Sequence, residues 1–102
     1  MLHRIEFDTL DWESPMTGMR FKAVRHGSQQ LRLVEYTEEM VPHWCERGHV
    51  GSILAGRFRI EFPDHTFTFN PGDGVFIPSG HAHRHRARVV NGPVRALFVE
   101  EV

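Results

Sequence analysis

The sequence is poor in the features that would mark a secreted, membrane-bound or nucleic-acid-binding chain. It has 102 residues and a single cysteine, Cys45, so no disulfide can form within the chain. No apolar run approaches the roughly 20 residues of a membrane-spanning helix. Its 12 basic and 13 acidic residues nearly cancel, which predicts neither nucleic acid nor a membrane as partner. No apolar leader follows the first residues, so a cytoplasmic location is the default expectation.

Helical periodicity is also missing after Phe21, where no stretch keeps it for three turns. Short runs of alternating or β-branched residues appear instead, separated by turn residues such as Gly, Pro, Asn and Asp. Gly56 and residues 91–93 are predicted turns between neighbouring strands. The predicted strands cover residues 21–24, 31–37, 49–55, 57–62, 66–69, 75–77, 81–90 and 94–99.

About eight short strands without a helix predict one all-β domain. Such strands must close into a barrel or stack as two sheets, since unpaired sheet edges would otherwise be exposed. Either arrangement leaves a mouth through which a small ligand can reach inward-facing side chains. We therefore expect functional residues on the inner face of a barrel or jelly roll.

Histidine is abundant and unevenly placed, since five of the 8 histidines fall within residues 43–49 and 81–85. Positions 43 and 45 face the same way on an extended strand, and a turn at residues 47–48 would start the next strand with His49 close beside them. His83 lies in a distant segment of the chain and could approach these side chains only through the closing of the barrel. Imidazole is the commonest metal-ligating side chain, so the clustering indicates a chemical role.

The second histidine window carries a resemblance to a known family. Gly72, Pro78, Gly80 and His83 occur at the spacing of the second conserved motif of the cupin superfamily. Ala87 stands where that motif usually ends in Asn. The chain thus resembles a cupin at the first four positions of the motif and departs from it at the last.

The first histidine window is similar to the first cupin motif, which reads His-x-His, three or four residues, Glu, six residues, Gly. This chain has His43, Cys45, His49 and Gly56 at those positions. The spacing holds, but two ligand types differ. The resemblance covers roughly residues 21–102 and implies a single-domain jelly-roll β-barrel there, with a short irregular N-terminal arm over residues 1–20.

The resemblance further implies that His43, Cys45, His49 and His83 converge on one metal inside the barrel. Imidazole in place of carboxylate, and a thiol in place of imidazole, favour a divalent transition metal such as zinc, nickel, iron or copper over magnesium or calcium. A thiolate from Cys45 would complete a closed, structural coordination sphere. Cys45 turned aside would leave a position open for chemistry.

The resemblance implies a stand-alone metal-binding cupin that acts on a small polar molecule by oxygenase, isomerase or other Lewis-acid chemistry. The alternatives are a non-catalytic small-molecule-binding or sensing module and a barrel with a purely structural metal. Whether the protein is an enzyme is left open, because the fold alone does not select among these activities. An apolar wall for the ligand is expected from among Phe58, Phe67, Phe76 and Ile77.

Three other features bear on the surface and the pocket. His85 shares the parity of His83 and could line the pocket one pleat deeper. Arg84, Arg86 and Arg88 have the opposite parity and should form a basic stripe on the outer face. Trp44 should also point outward, and since exposed aromatics commonly mark subunit contacts, we expect a homodimer.

Overall fold

A computed structural model describes residues 3–102, and the regular structure in it is almost wholly antiparallel β-strand. Its strands are β1 Glu13–Met16, β2 Met19–His26, β3 Gln29–Tyr36, β4 His49–Glu61, β5 Thr66–Phe69, β6 Gly74–Ile77 and β7 Arg86–Glu101. The helices within these residues are single 3₁₀ turns at Phe7–Thr9 and His81–His83. Within residues 3–102, no helix is long enough and apolar enough to span a membrane.

The long strands β4 and β7 organise the molecule. They pair with each other along most of their length, and β7 also pairs with β3, so the sheet order is β1-β2-β3-β7-β4-β5. The first part of β4 pairs with β6 and its last part with β5. Because β4 and β7 change pairing partners along their length, the sheet folds onto itself, which confirms the predicted all-β jelly roll.

The turns predicted at Gly56 and at residues 91–93 are wrong, since both segments lie within continuous strands. The pairing of β4 with β7 shifts between Ile53 and Phe58, where the strands bend. Gly56 has a φ of 78°, and a Cβ there would lie 2.5 Å from the Pro93 carbonyl oxygen. Turn-type residues inside a strand therefore produce bulges here, which bend the two strands instead of ending them.

The core lies between the folded layers, and alternate residues in parts of β3, β4, β6 and β7 enter it. Phe98, Ile53, Val34 and Val94 are the largest fully buried side chains. The rings of Tyr36 and Phe58 stack with their centroids 4.7 Å apart and join β3 to β4 across this core. The alternation that predicted half-buried strands thus sets which side chains face the interior.

The N-terminal segment packs against β2 and β7 through Trp12 and Phe7. Strand β1 pairs with β2, so the arm predicted over residues 1–20 contains regular structure, while residues 1 and 2 lie outside the described part. The Trp12 ring lies beneath the cations of Arg20 and Lys22, at 4.1 and 4.6 Å from its centroid. Lys22 also donates a 2.7 Å hydrogen bond to the Phe7 carbonyl, which ties the segment to the sheet.

Candidate functional site

An inner cavity of about 230 Å³ opens between the two layers of the fold. Its apolar walls include Met19, Met40, Phe58, Ile60 and Phe98, and its polar lining includes Arg32, His43, Cys45, His49 and His85. The strand alternation of β3, β4 and β7 places the buried members of this set on inward-facing positions. Imidazoles from both histidine windows thus meet in one cavity.

His85 lines this cavity and is only 4% exposed. Its backbone bridges Cys45 through N–H to carbonyl bonds of 2.8 and 2.9 Å in both directions, which joins the two windows. Nδ1 donates to the His83 carbonyl at 3.0 Å, so Nε2 carries the lone pair of the neutral ring. Burial lowers the pKa of His85, and nearby His49 and His43 lower it further, which favours this neutral form.

The Nε2 atom of His85 is buried and has no hydrogen-bond partner within residues 3–102. A buried acceptor without a partner costs about 1–3 kcal/mol. Native proteins keep few such atoms, and those they keep call for an explanation, such as a ligand or ion. The unpartnered lone pair of His85 therefore marks the inner cavity as a candidate site.

His49 lies beside His85, with the two ring centroids 5.4 Å apart, and stacks on Phe98 at 4.7 Å. Its Nδ1 is 2.9 Å from Oε2 of Glu100. An ionised carboxylate only accepts hydrogen bonds, so Nδ1 carries a proton and donates it. In the neutral ring, Nε2 then holds the lone pair and is available to a ligand.

Glu100 is a buried carboxylate, with a side chain only 1% exposed, that lies behind His49. It accepts hydrogen bonds from Gln30 Nε2 at 3.0 Å and Arg32 Nη2 at 2.8 Å, in addition to His49. Burial alone would raise the pKa of Glu100. The His49 and Gln30 hydrogen bonds and the Arg32 charge outweigh it and lower the pKa to about 2.

The four residues predicted as metal ligands divide between two cavities. His43, Cys45 and His49 line the inner cavity, whereas His83 lies in the 3₁₀ turn, is exposed and lines a second, outer cavity. As placed, no three His, Cys, Asp or Glu side chains within residues 3–102 form a group that could hold a metal ion. The ligand roles of these four residues stay predictions.

The outer cavity, of about 630 Å³, lies along β5, β6 and the His81–His83 turn. Phe67, Phe76 and Ile77 line it, so among the expected wall residues Phe58 belongs instead to the inner cavity. Phe67 is 57% and Phe76 77% exposed, which makes this cavity an open, aromatic cleft.

Sequence reasoning missed two charged residues at the inner cavity, Arg32 in its lining and Glu100 behind His49. The signal was present in the alternation, since Arg32 shares the parity of inward-facing Val34, and Glu100 shares that of Phe98. Charged residues are rarely buried without a partner, so parity alone is a weak indication. Their mutual pairing across β3 and β7, which the sequence does not display, makes the burial possible.

Three of the four residues predicted to face outward, Trp44, Arg86 and Arg88, are exposed. Trp44 is 46% exposed, and the Arg86 guanidinium lies 4.9 Å from its ring centroid. Arg86 pairs with Glu61 of the neighbouring strand. Arg86 and Arg88 are exposed, as predicted, while Arg84 is half-buried. Arg86 also lines the inner cavity, so the three arginines do not form a purely outward-facing stripe.

Comparison with solved structures finds the same fold in other proteins. KdgF from Halomonas sp. is 23% identical with a TM-score of 0.75, over 92% of this chain and 89% of that one. The polyketide cyclase RemF from Streptomyces resistomycificus is 22% identical with a TM-score of 0.78, over 99% of this chain and 80% of that one. These identities show a shared fold alone.

The sequence comparisons identify the family. No curated protein matches the chain in sequence. The cupin domain family matches residues 23–100, which is most of the chain and includes both histidine windows. With the jelly roll and the inward-facing imidazoles, that match shows that this protein belongs to the cupin family.

Proposed function

We propose that this protein is a small-molecule-binding cupin whose inner cavity holds a divalent transition metal on His43, His49 and His85. The observation that carries the proposal is the buried, unpartnered Nε2 of His85. A metal ion would satisfy that lone pair and remove the cost of leaving it unpaired.

The orientation of the histidines supports this donor set. His49 and His85 each engage an oxygen through Nδ1, which is how metal-ligating histidines are commonly oriented. His43 is exposed, and its Nδ1 lies 3.4 Å from the Val41 carbonyl, a contact too long to hold the ring firmly. His43 would therefore turn towards the metal when it binds and serve as the third imidazole ligand.

The chemistry of these donors suits zinc, nickel, copper or ferrous iron. When bound, such an ion supplies Lewis acidity and, for iron or copper, oxygen chemistry, as in the oxygenase or isomerase activities implied by the resemblance. Phe58 and Phe98 give one side of the cavity an apolar wall. Behind His49, the buried carboxylate of Glu100 accepts a hydrogen bond from its ring. Cys45 as a fourth ligand would close the site and make the metal structural.

A metal-free binding or sensing module is the second candidate function. One observation favours it, namely that the side chains within residues 3–102 do not already form a three-ligand group. In that case His43, His49 and His85 would serve as hydrogen-bonding groups for a small ligand.

The metal content of the protein, purified without an affinity tag, tests the proposal. We expect stoichiometric transition metal in the unmodified chain and in His83→Gln, whose side chain lines the outer cavity, and a fall to background in His85→Gln. Circular dichroism and melting curves establish that each variant is folded. Equal metal content in all three proteins contradicts the proposal, and loss in His83→Gln alone favours the ligand position predicted from the motif.

We also propose that the protein forms a homodimer through the outer face of β6, β4 and β7. Phe76, Val50 and Val99 are neighbours across these strands and are 77%, 40% and 47% exposed. Leu31 on β3 continues the row beside Val99. An apolar row of this kind commonly marks a subunit contact, and a second copy of the same row is its simplest complement.

A further inference from the structure

The inner cavity has an unbalanced charge. Arg32, Arg47 and Arg86 line it, and no Asp or Glu is part of its lining in the described chain. Two of these positive charges are balanced by carboxylates that lie outside the lining, since Arg32 pairs with Glu100 and Arg86 pairs with Glu61. The remaining cation, Arg47, therefore decides the net charge presented to a ligand.

Arg47 forms no ion pair with any carboxylate within residues 3–102. Its side chain makes a long hydrogen bond, in which Nη2 donates to the Glu101 carbonyl at 3.4 Å. The residue is exposed and stands in the loop between β3 and β4, where its guanidinium has donors left for an incoming group. A planar guanidinium binds a carboxylate through two parallel hydrogen bonds, which makes Arg47 an anchor for an organic anion.

The rest of the cavity suits the apolar part of such a molecule. Met16, Met19 and Met40 line it together with Phe58 and Phe98. Methionine side chains adapt to irregular ligands, and aromatic rings offer flat contact area. Its volume of about 230 Å³ is below the range of about 300–1,000 Å³ that is typical for drug-sized ligands, so a molecule with a single ring fits best.

We infer that the inner cavity binds a small organic anion, with its carboxylate or similar oxyanion on Arg47 and its apolar body against the methionine and phenylalanine wall. This inference rests on the proposed small-molecule-binding function of the cavity. It does not depend on a metal, because Arg47, the methionines and the phenylalanines are in place without one.

The test compares three probes of similar shape and different charge on metal-free protein: benzoate, neutral benzamide and cationic benzylamine. Binding is followed by amide chemical shifts in NMR titrations. We expect benzoate to bind about tenfold more tightly than benzamide, since only the carboxylate can form a charged contact with two parallel hydrogen bonds to the Arg47 guanidinium. Shifts should centre on the residues around Arg47 and Met40, and benzylamine should bind weakest.

Arg47→Gln should remove the preference for benzoate over benzamide, while Arg57→Gln should keep it. Arg57 is a matched control because it is exposed, belongs to no ion pair in the described chain and does not line the inner cavity. The inference is overturned if benzoate does not bind, if benzamide or benzylamine binds as tightly, or if both variants lose the preference equally. A failure of the metal proposal appears separately, in the metal content of the His85→Gln protein.

Discussion

Replacing Glu100 by Gln removes the buried negative charge behind His49. Interactions in the folded protein hold the pKa of Glu100 at about 2, compared with an ordinary value of 4.5. The side chain is only 1% exposed, so solvent does not weaken these interactions appreciably. Since one pKa unit corresponds to about 1.4 kcal/mol, the ionised carboxylate contributes about 3 kcal/mol to the free energy of unfolding.

The sign of the pKa change predicts when this contribution is lost. Because the folded-state pKa lies below the unfolded-state value, the contribution is complete above about pH 4.5 and disappears as the pH falls towards about 2. Glu100→Gln should therefore be less stable than the unmodified protein by about 3 kcal/mol at pH 7. The two proteins should approach equal stability near pH 2, where Glu100 itself becomes neutral.

Urea unfolding of metal-free protein, followed by circular dichroism between pH 2 and pH 7, measures this difference. Glu101→Gln is the matched control, because Glu101 is the exposed neighbour on the opposite face of β7 and should show little change. A stability gap for Glu100→Gln that is the same at every pH, or one below about 1 kcal/mol at pH 7, would refute the reasoning.

Two further predictions concern packing and assembly. Gly51→Ala should destabilise the protein by about 3 kcal/mol or more in urea unfolding, because its Cβ would lie 1.8 Å from the Leu97 carbonyl oxygen. Gly74→Ala on the adjacent strand is the control, since its Cβ would meet only an atom at 3.9 Å, and equal losses would contradict the argument. Phe76→Ser should shift the protein from dimer to monomer in light scattering, and Phe67→Ser should not, because the exposed Phe67 lies on β5, which is not part of the proposed apolar row. A chain that is monomeric without substitution would exclude the dimer.

Much of the fold could be predicted because its signals are local. Alternation in residues 57–62 places Phe58 and Ile60 on one face whatever the rest of the chain does, and both are buried. The sequence also shows a turn-type residue at Gly56, but it does not show whether that residue ends the strand. A glycine can end a strand or bend it, and the Pro93 carbonyl packed against Gly56 from β7 decides in favour of the bend.

The candidate site could be predicted only in part. The motif spacing predicted that His43, Cys45 and His49 lie close together, and all three line one cavity because they are near neighbours in the chain. It could not place His83 relative to His85, because a 3₁₀ turn at His81–His83 interrupts the alternation just before β7.

By itself, the sequence determined the all-β class, the inward and outward faces of the strands and the family, because these depend on residue types at short, regular spacings. The tertiary structure decided that His85 shares the inner cavity and that a carboxylate 51 positions along the chain lies behind His49. It also decided that Arg47 lacks an ion pair within the described chain. Such pairings depend on strands that meet only after the chain has folded, and therefore on the register of β3, β4 and β7.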